Sequence, residues 1–362
     1  MKIRAERAPL ADALAWVAQA IAKNPASPAL SGIRLTAQGS TLTASAFDYD
    51  RAHTARVDVD ADSEGECLIH GNFLRAIVGA MSSSEVGLTL DGNLTIKSGG
   101  SRYRTQPLRV EDYPTVPALP AAAGEAGASD LTAAVNAVKH PIDDGSPFPA
   151  VRGLRIEGGN ELDLFGMDRF RLARAVVPWK WTTDLAATVH SGTFVAAVKG
   201  MSGSVTLRAE DGLFGLSDAT RAVTMRTYAD EYSPKWRSFL EVNLEDPTIS
   251  LDSGDLKDAI KRVRELNIAD ESAITVAFGD GQLTIDAHTD GIGDGTESVE
   301  GETEGSASRG FNPRLLTDAL TAAPDGPMTI HAGAKGLWIF QPADRDHLTF
   351  AVMTKTLPGG TR

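Results

Sequence analysis

Residues Pro28-Ala29-Leu30-Ser31-Gly32-Ile33-Arg34-Leu35 return about 120 positions later as Pro149-Ala150-Val151-Arg152-Gly153-Leu154-Arg155-Ile156. The match continues downstream. Phe47-Asp48-Tyr49-Asp50-Arg51-Ala52 faces Met167-Asp168-Arg169-Phe170-Arg171-Leu172-Ala173, with Asp48 and Asp168 in step. Asp91-Gly92 faces Asp211-Gly212, and Glu111-Asp112-Tyr113-Pro114 loosely faces Glu231-Tyr232-Ser233-Pro234. Periods of roughly 20–50 residues build solenoids, whereas one of about 120 has the size of a whole domain. The chain therefore carries a duplicated domain, and the copy number of that unit sets the architecture.

A third, more diverged copy follows. Its patterning predicts a helix over 253–266, a hairpin at Asp280-Gly281, a helix over 312–321 and strands over 327–331, 336–341 and 347–353. Gly310-Phe311-Asn312-Pro313-Arg314-Leu315-Leu316 echoes His70-Gly71-Asn72-Phe73-Leu74. In the first copy, apolar spacing predicts helices over 9–23 and 72–81, and in the second over 129–139 and 191–201. Strands are expected over 41–46, 56–60, 151–157 and 161–165, with Asp-Gly hairpins at Asp91-Gly92 and Asp211-Gly212. Each unit reads strands, helix, strands, helix, strands: an α+β domain with mostly antiparallel sheet and two helices. The Ala/Gly/Pro-rich stretch 117–128 reads as a linker, and boundaries fall at 1–122, 123–246 and 247–362.

A chain of 362 residues holds two or three such domains. No apolar run approaches the length of a membrane span, and the mixed-charge N-terminus lacks a signal-peptide core. The single cysteine, Cys67, excludes an internal disulfide and any Cys-based metal cage, which points to a cytoplasmic setting. A formal charge of −13 argues against a conventional nucleic-acid binder. Local potential can override the total, however, because phosphates respond to nearby cations. The helices are poor in acid and carry Lys23, Arg75, Lys199, Lys257, Lys261, Arg264 and Arg314, while acid gathers at 58–66 and 290–304. In the helix at 256–266, Leu256, Ile260 and Val263 form a buried stripe that leaves Lys257, Lys261 and Arg264 near one exposed side.

At four places the residues resemble a known family, the bacterial-type DNA sliding clamp, the beta subunit of DNA polymerase III. They are Asp112-Tyr113-Pro114 with Pro117; Gly166 through Ala173; Phe311-Asn312-Pro313 with Leu315-Leu316; and the end near Val352-Met353. The resemblance implies three similar domains, two chains joined head to tail into a six-domain ring, and helices lining a hole that encloses duplex DNA. It implies no catalysis and no cofactor or metal. The partners it implies are DNA polymerase, a clamp loader and other proteins bearing a clamp-binding peptide. Carried over position by position, their pocket includes Val151, Met167, Arg169, Phe170, Arg171, Leu172, Pro234, Phe239, Asn312, Leu315, Met353, Thr354 and Leu357. Apolar walls take the anchors, while Arg171 and Asn312 fix the peptide backbone or carboxylate. Lys23, Arg75, Lys199, Lys257, Lys261 and Arg264 face DNA. Tyr103 and Thr105 meet Leu266 and Ile268 across the dimer interface.

Departures concentrate where partners bind. Met167 replaces the family's threonine, Arg169-Phe170 its small-plus-aromatic pair, and Leu315 its tyrosine; Thr354-Lys355-Thr356-Leu357 follows Met353. They suit a divergent member, such as one encoded by a phage or mobile element. The alternative is a clamp paralogue that sequesters partners or confers inhibitor resistance. Asp290 to Glu297 has glycines where an EF-hand needs oxygen donors and reads as an acidic hairpin. No two of the seven histidines stand at helical metal spacing, and no P-loop, dinucleotide fingerprint or nucleophile elbow occurs.

Overall fold

The computed structural model describes residues 1–148, 151–229, 234–266, 273–289, 291–333 and 336–355, without the side chains of 234 and 235. One element order runs through it three times. The first repeat comprises β1 (Lys2–Glu6), α1 (Arg7–Val17), β2 (Gly32–Gln38), β3 (Thr41–Phe47) and β4 (Arg51–Ser63). It continues with β5 (Gly65–His70), α2 (Gly71–Ala80), β6 (Glu85–Asp91), β7 (Asn93–Ser98) and β8 (Ser101–Thr105). The second comprises β9 (Ala122–Gly127), α3 (Ala128–Val138), β10 (Leu154–Gly158), β11 (Leu162–Met167), β12 (Arg171–Val177) and a short β13 (Trp179–Trp181). Then follow β14 (Leu185–Val189), α4 (Ser191–Lys199), β15 (Ser204–Glu210), β16 (Leu213–Ser217) and β17 (Arg221–Arg226). The third comprises β18 (Thr248–Asp252), α5 (Ser253–Arg264), β19 (Ile274–Gly279), β20 (Gln282–Thr289), β21 (Gly293–Glu300) and a short β22 (Glu302–Glu304). It closes with β23 (Ala307–Phe311), α6 (Pro313–Ala322), β24 (Pro327–Ala332), β25 (Leu337–Pro342) and β26 (Leu348–Met353).

These elements gather into two compact units. The first comprises Met1–Ala128, Lys180–Leu185 and Ala196–Thr227; the second comprises Ser129–Trp179, Ala186–Val195 and Tyr228–Arg362. The first holds one antiparallel sheet in the order β9-β15-β16-β17-β4-β1-β6-β7-β8, with β3, β2 and β5 continuing from β4. The second holds a sheet ordered β14-β10-β11-β12-β26-β25-β24-β18-β22 and a smaller one ordered β21-β20-β19-β23.

Local chemistry explains these elements. α5 buries Leu256, Ala259, Ile260 and Val263, and Asp252 caps it by accepting from the amides of Gly254 and Asp255 at 2.8 and 3.3 Å. The Asp211-Gly212 and Asp280-Gly281 turns have positive φ at both residues (49° and 76°, 51° and 79°), as a two-residue hairpin of this twist requires.

Three expectations shift. The first helix ends at Val17, with one 3₁₀ turn to Ala20, so Lys23 lies beyond it. Residues 122–127 of the expected linker form β9, pairing with β15 from Gly127↔Ser204 to Ala122↔Arg208. Ala123 and Ala126 are buried there, a pattern too small in side chain to stand out as a strand. The strand expected from 151 starts at Leu154, because Gly153 turns the chain with φ +84 and a Cβ there would strike Tyr228. The short β1, with its alternating burial, is an addition to the expected elements.

Two buried groups report on packing. Burial pushes the Cys67 thiol up to about 12, so it is inert as a nucleophile near neutral pH. Burial, helped by the Arg51 charge, pushes His53 down to about 3, beside the Trp16 ring at 4.7 Å. The unfolded histidine protonates near pH 6.5, so folding is fully supported above that value and loses this support as pH falls toward 3. Urea unfolding of His53→Gln should show a shallower acid loss than the parent, the gap reaching at most about 4 kcal/mol near pH 4.

Candidate functional site

The second unit contains a groove of about 650 Å³ built by β11, β12, the segment after Pro234, and β25–β26. It exists because β26 pairs with β12, placing Leu172 opposite Ala351 and Arg171 opposite Val352. The Met353 amide extends the ladder by donating to the Phe170 carbonyl at 2.8 Å. The floor is hydrophobic: Leu172 and Ile339 are buried with Phe165, Trp236 and Ala351, and Met167, Val242 and Leu337 pack against them. Phe170, Phe239 and Met353 line the rim and remain 43–46% exposed.

Two devices hold this shape. Trp236 is 2% exposed and stacks on Phe165 with ring centroids 3.7 Å apart. Its neighbour Arg237 donates to Asp163 and Glu157 at 2.9 and 2.7 Å, fixing the segment to the sheet. Trp236→Ala should therefore cost about 3–5 kcal/mol in urea unfolding followed by circular dichroism, far more than a surface change.

The second device is the loop between β11 and β12. The Asp168 carboxylate accepts from the Phe170 and Arg171 amides at 2.6 and 2.7 Å. It also accepts from the Arg171 guanidinium at 2.9 Å, while Asp318 of α6 takes another Arg171 nitrogen at 2.8 Å. Arg171 is thus neutralised by two carboxylates and holds the loop, rather than offering a free cation to a ligand as expected. The same Asp-x-x-Arg turn recurs at Asp48–Arg51 and Asp218–Arg221. Arg169 is the exposed cation here, lying over the Phe148 and Phe170 rings at 4.8 and 5.3 Å.

Of the thirteen residues expected at this site, eight line the groove: Val151, Met167, Arg169, Phe170, Arg171, Leu172, Phe239 and Met353. Asn312, Leu315 and Thr354 are not among the lining residues. The Asn312 oxygen caps α6 by accepting from the Arg314 and Leu315 amides, and Thr354 donates to the Gly336 carbonyl. The Pro234 side chain and Leu357 lie outside the described residues. Glu241, Val242, Asn243, Asp246 and Leu337 line the groove in addition to the expected set. Only the neighbouring Phe239 points toward that segment in the sequence.

Lys257, Lys261 and Arg264 share a second groove, of about 500 Å³, between α5 and α6. Lys257 is already paired with Asp325 at 2.6 Å. Lys23, Arg75 and Lys199 are exposed. Tyr103 and Thr105 lie on β8, a sheet edge, and Leu266 covers Gly295 of β21. Ile268 lies outside the described residues.

Comparison with known proteins gives a consistent answer. The model of the DNA polymerase III beta subunit N-terminal domain matches residues 1–117. The beta sliding clamp of Streptomyces coelicolor is 31% identical over 346 residues, covering 91% of this chain and 90% of its own. The beta sliding clamp homolog GriR of Streptomyces muensis is 27% identical, covering 89% of this chain and 88% of its own. The crystal structure of the Bacillus subtilis DNA polymerase sliding clamp superposes with a TM-score of 0.89 at 15% identity, over 99% of this chain and 100% of that one. At that identity the likeness establishes the fold.

Proposed function

The chain belongs to the beta sliding clamp family, and from that premise we propose that two copies close head to tail into a ring around duplex DNA. The three repeats, 1–122, 123–246 and 247–362, are its domains. One observation carries this reading. The last strand of repeat two (β17) pairs with the fourth strand of repeat one (β4), and the last strand of repeat three (β26) pairs with the fourth of repeat two (β12). The last strand of repeat one, β8, and the fourth of repeat three, β21, each end a sheet. A second chain supplies what both edges lack, twice over, and a contact of this heterologous kind closes a ring of six domains.

The register follows from the repeat. Thr105 faces Leu94 as Met225 faces Phe214, and Met225 pairs with Arg51. Gly293 follows its hairpin where Arg51 follows its own, so Thr105 meets Gly293, Arg104 meets Asp294 and Arg102 meets Thr296 across the interface. Charge supports the match: Arg102 and Arg104 are exposed on β8, and Asp294 on β21. The exposed helix cations give sequence-independent, salt-sensitive contact with DNA. The apolar groove receives the peptides of a DNA polymerase, a clamp loader and other replication or repair partners, so the chain tethers and the partner catalyses.

Cross-linking tests this. The variant with Arg104→Cys and Asp294→Cys, treated with a short bismaleimide, should form covalent dimers that persist in detergent, since buried Cys67 does not compete. Loaded onto nicked circular DNA first and cross-linked there, the rings should remain through high salt and leave once the circle is cut. Failure to cross-link, or equal retention on cut DNA, would remove the ring.

A further inference from the structure

The first unit contains its own groove of about 400 Å³, where β4 and β17 pair. It stands where repeat one meets repeat two, and comparison with the β12–β26 junction explains why it is open. Leu172 faces Ala351 at that junction; here Ala52 faces Thr224. By the repeat match Ser45 replaces Phe165, and Val116 replaces the Trp236 plug. Three large side chains have given way to small ones, and space remains beneath the segment after Pro114.

The lining suits one kind of ligand. Val116, Pro117 and Leu119 form an apolar wall, and Leu119 is 41% exposed. Arg56 and Arg208 also line the groove. Arg208 donates to two neutral acceptors, Ser217 Oγ at 3.3 Å and the Pro120 carbonyl at 3.2 Å. Among the described residues Arg56 has no carboxylate partner. The one acid present, Asp218, is spent on its own turn, accepting from the Ser202, Thr220 and Arg221 amides at 3.0, 2.9 and 2.7 Å. Two guanidiniums that no carboxylate pairs with among the described residues, beside an apolar wall in a chain of charge −13, mark a local site for an anion with an apolar anchor. We propose that this groove is a second docking site, for an acidic peptide segment bearing an aliphatic or aromatic anchor. A nucleic acid fits less well, because two cations and an apolar wall do not make a phosphate track.

Fluorescence polarisation with the full-length protein tests this, using labelled, end-blocked hexapeptides that carry one Trp or Leu among Asp and Glu. Members of this panel should bind, and Val116→Trp, which rebuilds the plug, should abolish binding while circular dichroism stays unchanged. Arg56→Gln with Arg208→Gln should weaken binding by about tenfold or more without altering cavity size. Met353→Asp, on the exposed rim of the other groove, should leave binding intact. No binding by any member at millimolar peptide would overturn the proposal. So would binding insensitive to both groove variants, binding lost only with Met353→Asp, equal binding of neutral hexapeptides, or an arginine-dependent preference for a single-stranded oligonucleotide. Each readout is independent of dimerisation, so failure here leaves the ring standing.

Discussion

Replacing both Arg102 and Arg104 with glutamate is expected to convert the proposed dimer into monomers at micromolar concentration. β8 lies at a sheet edge with both arginines exposed on one face, and β21 presents Asp294 on its exposed face. In the proposed register Asp294 stands directly opposite position 104 and diagonal to position 102. Reversal therefore turns two attractions into like-charge opposition, worth several kcal/mol, or about 100-fold to 1,000-fold in dissociation constant. The strand itself should survive, since neither side chain is buried. Sedimentation velocity reads the result, and the parent dimer should also loosen as salt rises. Rescue makes the test specific: in a chain that carries Arg102→Glu and Arg104→Glu, adding Asp294→Arg and Thr296→Arg should restore a dimer. Continued dimerisation of the doubly reversed chain without rescue substitutions would show that the contact lies elsewhere.

The second large effect concerns the groove in the second unit. Leu172→Asp places a carboxylate on a floor that is 5% exposed and packed against Ile339 and Ala351. An unpaired charge there opposes any apolar anchor, so binding of an acetylated Gln-x-x-Leu-Phe peptide should fall by about 100-fold or more. Because that change also strains the core, Met353→Asp at the 46% exposed rim serves as its partner test. It should weaken the peptide by about tenfold while leaving the unfolding midpoint unchanged. Unaltered binding by both variants would remove the groove as the partner site. Arg171→Ala should behave differently, through loosening of the loop that Asp168 and Asp318 hold, and so should lower stability together with affinity.

Much of this architecture is legible in the chain because repetition and periodicity speak together. Leu256, Ile260 and Val263 announce α5, and Asp-Gly pairs announce hairpins that the structure places at Asp211-Gly212 and Asp280-Gly281. What escapes is structure specified by partners rather than by pattern. β1 offers five residues, three of them charged, and is a strand because β4 and β6 flank it. β9 is hidden in alanines and glycines that resemble a linker until β15 pairs with them.

The site divides along the same line. Asp168-Arg169-Phe170-Arg171-Leu172 stands out as a motif, yet the role of Arg171 depends on Asp318, 147 residues away. The stretch 241–246 has no motif and joins the groove only because Trp236 and Arg237 anchor the chain just before it. The small residues that open the groove of the first unit become informative only after the repeats are superposed.

Sedimentation equilibrium of the unmodified chain at low micromolar concentration and moderate salt tests the central claim most directly. The proposed pairing of β8 with β21 predicts a single species of twice the 38.2 kDa chain mass. A species of 38.2 kDa across that range would contradict the ring.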